Sequence, residues 1–217
     1  LKQRHKIKNE TEFDELLDVL ASGIGTLTNA QKLSNTFRTV NHTPINPNTI
    51  KKYLDYYTDS FLVSRARRYD VKGRKYISTP AKYYFADIGL RNARLDFRQT
   101  EPTHIMENII YNELICRGYN VDVGVVEIYA TNNAGNSVSK QLEVDFVANK
   151  GYNRYYIQSA YAFYDESKKQ QELASLINIP DAFERIIVVG SGGLPYRDDH
   201  GYKIIGLMDF LLSDNIE

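Results

Sequence analysis

The sequence has little sulfur chemistry to offer, with one cysteine and two methionines in 217 residues, and it has no tryptophan. A single thiol excludes an internal disulfide framework and points to a reducing cytoplasm. Cys116 itself falls in an apolar helical pattern, IIYNELICRG, and reads as a small buried side chain. The histidines His5, His42, His104 and His200 are scattered and show no zinc spacing. No apolar run approaches the roughly 18 residues that a membrane helix needs. The opening LKQRHKIKNE has no apolar stretch behind its charges and so is not a secretory signal. It lacks an initiator Met and reads as a cut inside a longer protein.

Two catalytic signatures are missing as well. There is no G-x-S-x-G elbow. An ATP site would need G-x-x-x-x-G-K-[ST], whose backbone N–H groups cradle phosphates while the Lys reaches the β and γ oxygens. The glycine-rich VVGSGGLPY lacks the Lys-Ser/Thr pair and puts Pro195 where a helix should start. It predicts a turn between strands. An excess of one charge is also absent, because 27 Lys and Arg balance 27 Asp and Glu. The balance hides a division: residues 1–80 hold 14 basic and 8 acidic side chains (+6), and residues 81–217 hold 13 and 19 (−6). The first part is the better suited to an anionic partner.

What is there begins with helices. Phe13, Leu16, Leu17 and Leu20 recur at helical spacing before Gly23 and Gly25. NAQKLSNTFR fits a second helix capped by Asn29. In NPNTIKKYLDYY, Asn46 can cap, Pro47 suits the first helical position, and Ile50, Tyr53, Leu54 and Tyr57 form the apolar stripe. Two extended runs follow, SFLVSRARRYD and KYISTPAKYYFAD, joined by the turn VKGRK. Three short helices and a basic hairpin predict a winged helix-turn-helix over residues 1–90, with 47–57 as its recognition helix. Asn48, Thr49, Lys51 and Lys52 would face a DNA groove, with Arg65, Arg67, Arg68, Lys72, Arg74 and Lys75 near phosphates. Most of the 17 tyrosines sit inside helix or strand patterns and read as packing; only the 65–76 region approaches a stacking platform with interleaved cations.

Residues 91–217 predict a second domain, an α/β (α+β) mixed sheet flanked by helices, with the boundary in RNARLDFRQTEP. THIMENIIYNELICRGY is an amphipathic helix ending at Gly118. NVDVGVVEIYA, QLEVDFVANK and RYYIQSAYAF read as a β-meander, followed by the helix ESKKQQELASLINI, the strand RIIVVGSG, and YKIIGLMDFLL. This order resembles the restriction-endonuclease-like (PD-(D/E)XK) core. The resemblance maps the acidic position of its first helix to Glu107, the second-strand Asp to Asp145 and the third-strand Glu or Gln to Gln158. Mg²⁺ prefers hard oxygen ligands, and would take Glu107, Glu143 and Asp145. The lysine that orients the attacking water falls on Ala160, so the centre reads as degenerate.

The stretches PAKYYFADIGLRNA, MENIIYNELICRGYNVDVG, LEVDFV and YYIQSA are similar, over nearly the whole chain, to the uncharacterised domain following the ATPase module of prokaryotic AAA-type ATP-binding proteins. The resemblance implies a winged helix plus a nuclease-like fold, partnered by an N-terminal P-loop module of the same chain that holds the ATP. The expected role is a DNA-associated or regulatory accessory region, without membrane association. The alternative is a Mg²⁺-dependent nuclease using Glu107, Asp145 and Gln158.

Overall fold

The computed structural model describes residues 1–41, 44–98, 101–131, 135–162 and 166–216; His42 lies outside them. The chain divides into two compact units that interleave in sequence. The first is Leu1–Ala66 with Thr79–Asn108, and the second is Arg67–Ser78 with Ile109–Glu217. The divisions thus fall within three secondary-structure elements, whereas RNARLDFRQTEP lies inside the first unit.

Helices α1 (Glu10–Ser22), α2 (Ala30–Thr36) and α3 (Pro47–Asp59) build the first unit. Each begins where an asparagine side chain accepts from an otherwise orphaned N–H: Asn9 from Glu12, Asn29 from Lys32 and Asn46 from Asn48. After α2 the chain widens into a π-helical stretch, Phe37–Asn41, where the sequence predicts plain α-helix to Arg38. The expected stripe on α3 is buried as read, with Ile50, Tyr53, Leu54 and Tyr57 packed against Phe13, Leu16, Leu17 and Leu20 of α1. The Tyr57 hydroxyl donates to the Phe13 carbonyl. A short helix absent from the sequence reading, α4 (Ile88–Arg94), follows Asp87, whose carboxylate accepts from Leu90 N–H at 2.7 Å.

The hairpin strands are β1 (Val63–Asp70) and β2 (Lys75–Phe85), and α5 (Pro102–Cys116) comes next. Gly118, at φ +81°, ends that run as predicted, whereas Cys116, expected to be buried, is exposed at the end of the helix. The meander is β3 (Asn120–Thr131), β4 (Ser137–Lys150) and β5 (Asn153–Ala160), antiparallel throughout. Helix α6 (Glu166–Ile177), β6 (Glu184–Val189), β7 (Tyr196–Arg197), β8 (Lys203–Gly206) and α7 (Leu207–Leu212) complete the chain.

The eight strands among the described residues form one mixed sheet, in the order β2-β1-β3-β4-β5-β6-β8-β7. The pairs β5–β6 and β6–β8 are parallel, as is β1–β3, in which Arg68, Tyr69 and Asp70 lie beside Val123, Gly124 and Val125. β1, a strand of the expected hairpin, thus also pairs within the larger sheet. One apolar cluster of the second unit joins Val126, Val144, Val147 and Tyr156 to Leu173 and Leu176 of α6. The architecture is mixed α+β. Among the described residues, no helix is long and apolar enough to cross a membrane.

Candidate functional site

In the first unit, three groups converge on one carboxylate. Glu107 is 6% exposed, and its Oε1 accepts from Lys82 Nζ at 2.8 Å and from the Tyr84 hydroxyl at 2.6 Å. Lys82 and Tyr84 are two positions apart on β2, so the period of a strand sets both on one face. His104, one turn before Glu107, places Nδ1 4.0 Å from Glu107 Oε2, and that buried nitrogen makes no hydrogen bond among the described residues. Gly25 closes over the group at φ +72°, where a Cβ would stand 3.2 Å from Glu107 Oε2. The next residue of α5 extends the grip. Asn108 Oδ1 accepts from Phe85 N–H at 2.7 Å, and its Nδ2 donates to the Phe85 carbonyl at 2.8 Å. The side-chain amide thus meets β2 as a neighbouring strand would.

Lys82 escaped the sequence reading, although a lysine inside the apolar run AKYYF was the available signal. Its ammonium neutralises the carboxylate that the nuclease reading assigns to a metal. Glu107 therefore does not fit the magnesium role, because a cation and a hydroxyl already occupy Oε1. Among the described residues, no three His, Cys, Asp or Glu side chains form a group that could hold a metal ion. The expected set Glu107, Glu143 and Asp145 is not such a group.

In the second unit, Asp145 and Gln158 sit where β4 and β5 part. The ladder runs from Lys150 beside Asn153 to Phe146 beside Ile157. Past it, Asp145 Oδ2 accepts from Ser159 N–H at 2.8 Å, and Asp145 N–H reaches Gln158 Oε1 at 3.4 Å. The two side chains occupy backbone groups that the ladder leaves open, which keeps them bonded inside the protein. A β-bulge lies at the same point. Val144 and Val147, three positions apart, pair with Gly124 and Asp122, two apart, so Asp145 and Phe146 carry the extra residue. Gly124 makes room for it: a Cβ there would lie 2.8 Å from Val144 Cβ. Ala160, at the lysine position, is 5% exposed and belongs to the apolar cluster with Leu173 and Val189. An ammonium there would lose its hydration without a partner in that cluster.

The expected nucleic-acid residues fall into two groups. On α3, Asn48, Lys51 and Lys52 are exposed and Thr49 is half-buried; neither lysine has an ion pair among the described residues. Arg65, also of the first unit, is exposed. The cations of the hairpin tip are largely engaged within the second unit. Arg67 stacks 4.1 Å over the Tyr76 ring, with Nε 3.9 Å from Asp122 Oδ1. Arg68 donates to Gln141 Oε1 at 2.6 Å and Lys72 to the Glu127 carbonyl at 2.7 Å. Lys75 lies 4.0 Å from Asp70, while Arg74 is exposed without an ion pair among the described residues. The parallel seating of β1 beside β3 brings Asp122 and Glu127 within reach, which no sequence pattern announces. Burial pushes the Asp122 carboxyl up, against the hydrogen bond from Tyr76 and the charge of Arg67.

The glycine segment after β6 leads into β7, which pairs antiparallel with β8. It is a turn between strands, as its sequence predicts.

Fold and site together define a mixed α+β protein of helices and one eight-stranded sheet, with a buried Lys–Glu–Tyr cluster and a bulged Asp–Gln junction. The family described as a domain of unknown function (DUF8612) matches residues 1–101. An uncharacterized protein of Haemophilus influenzae is 32% identical over 210 residues, covering 97% of this chain and 48% of its own length. The uncharacterized protein MJ1544 of Methanocaldococcus jannaschii is 30% identical over 171 residues, covering 79% of this chain and 35% of its own length. The chain thus spans less than half of either curated relative. Protein VC1899 from Vibrio cholerae aligns over 94% of this chain and 55% of its own, at 13% identity and a TM-score of 0.30. That score carries no argument about fold.

Proposed function

We propose that this chain is a DNA-associated or regulatory accessory region of a prokaryotic AAA-type ATP-binding protein, following an ATPase module that holds the nucleotide. Its start would be a winged helix-turn-helix and its remainder a degenerate restriction-endonuclease-like portion. The observation carrying this reading is the exposed face of α3, where Lys51 and Lys52 stand beside Asn48 without ion pairs among the described residues. Unpaired cations on a helix are what phosphate contacts require. The greater length of the two relatives supports the idea of an accompanying module. Against the Mg²⁺-nuclease alternative stand the Lys82 ammonium on Glu107 and the packed methyl group of Ala160.

Fluorescence anisotropy with a labelled duplex tests the DNA reading. Wild type is expected to bind at low salt, and Lys51→Glu/Lys52→Glu to bind far more weakly. Absence of binding, or equal affinity in both proteins, overturns it. For the regulatory arm, deleting the region from the full-length protein is expected to change its ATP turnover; unchanged turnover would count against it.

A further inference from the structure

A second basic site lies within the second unit. A cleft of about 310 Å³ is lined by Tyr69, Arg74, Asn149, Tyr152, Arg154 and Phe183. Its fixed element is Arg154. The guanidinium carbon stands 5.3 Å from the Tyr69 ring and 5.4 Å from the Phe183 ring, and Nε donates to Asn149 Oδ1 at 2.7 Å. Burial pulls its pKa down, but hydrogen bonds with Tyr156 and Tyr69 more than offset this and hold the group firmly charged. The neighbouring Asp181 adds one negative charge to the lining, against the two positive charges of Arg74 and Arg154. Its Oδ2 accepts from the Tyr156 hydroxyl at 2.6 Å and its Oδ1 from Phe183 N–H at 3.3 Å. Two further groups are open to a ligand. Arg74 is exposed without an ion pair among the described residues, and Tyr152 is fully exposed beside Gly151, whose φ is +61°.

We propose that this cleft binds a single nucleotide, its phosphate on Arg74 and Arg154 and its base stacked on Tyr152. A planar guanidinium matches phosphate oxygens, and a bare aromatic ring accepts any base face. The volume is at the lower end of ligand clefts, which suits one nucleotide rather than a longer segment. The nucleotide can be free or an unpaired residue of a single strand. The amides of Asn149 and Asn153 supply the remaining polar lining.

The test titrates the full chain with adenosine monophosphate by calorimetry and with a short fluorescein-labelled oligothymidylate by anisotropy. Arg74→Ala and Tyr152→Ala are the variants, since both side chains are exposed and neither anchors the core. Each is expected to weaken binding about tenfold. Binding of the mononucleotide alone assigns a free nucleotide, and binding of the strand alone assigns an unpaired residue. Lys51→Glu/Lys52→Glu, the α3 variant, should leave the mononucleotide titration unchanged, which separates this site from the duplex reading. Absence of saturable binding by either probe, or binding unaffected by Arg74→Ala and Tyr152→Ala, overturns the proposal.

Discussion

Lys82 Nζ lies 2.8 Å from Glu107 Oε1, and both residues are almost wholly buried, at 3% and 6% exposure. An ion pair this deep has exchanged the hydration of both partners for each other. The Tyr84 hydroxyl, on the same carboxylate oxygen, completes the exchange. The one of these residues that the nuclease reading gives to a metal, Glu107, here joins a strand to a helix.

Breaking that pair from one side should be costly. Lys82→Met leaves a buried carboxylate without its cation and is expected to lower unfolding stability by about 3–5 kcal/mol. Lys82→Met/Glu107→Gln removes both charges and leaves an amide oxygen for Tyr84. Urea unfolding should show the double variant more stable than Lys82→Met, although it carries one more substitution.

Asp145 gives a prediction of a different kind. Asp145→Ala takes the acceptor from a buried Ser159 N–H and should cost about 1–3 kcal/mol. Asp145→Asn keeps an acceptor oxygen and should recover most of that loss in the same denaturant measurement.

The bulge beside it can be probed through Gly124. Gly124→Ala drives a methyl group to 2.8 Å from Val144 Cβ. Overpacking of this kind is expected to cost about 1–3 kcal/mol, read as a shift of the urea midpoint at unchanged slope.

Asp122 should make stability depend on pH. Burial raises its folded-state pKa above the ordinary 3.8, so the folded protein takes up this proton more readily than the unfolded chain. The cost of the buried charge is therefore present at neutral pH and relieved as pH falls through the folded pKa. Asp122→Asn, which keeps an acceptor for Tyr76, should be more stable than wild type at pH 7. Thermal melts should show that advantage shrinking as the pH approaches 3.8.

If Lys51 and Lys52 contact phosphates, Lys51→Gln/Lys52→Gln should flatten the salt dependence of duplex binding. Each lost contact removes about 0.9 from the slope of log affinity against log salt. Anisotropy titrations at several salt concentrations measure it.

Much of the local structure was legible because periodicity and capping act over a few residues. Asn29, Asn46, Pro47 and the stripe Ile50, Tyr53, Leu54 and Tyr57 behave as their spacing requires. The β-meander was legible for the same reason, since short turns bring consecutive strands together. The short helix α4, the π-helical widening after α2 and the two-residue β7 carried too little periodic signal. The basic set divided on different grounds: α3 displays its cations, whereas the hairpin's Arg67, Arg68 and Lys72 meet partners on β3 and β4.

The sequence by itself determined the capped helices α2 and α3, the strands of the β-meander and the absence of a lysine beyond Gln158, because these depend on neighbours in the chain. Only the tertiary structure decided that Lys82 meets Glu107, that β1 runs parallel to β3, and that a bulge sets Asp145 against Ser159. Those partners are 25, 55 and 14 residues apart along the chain. At such separations no local period reports a contact, and packing selects the partner that leaves the fewest buried charges and backbone groups unpaired.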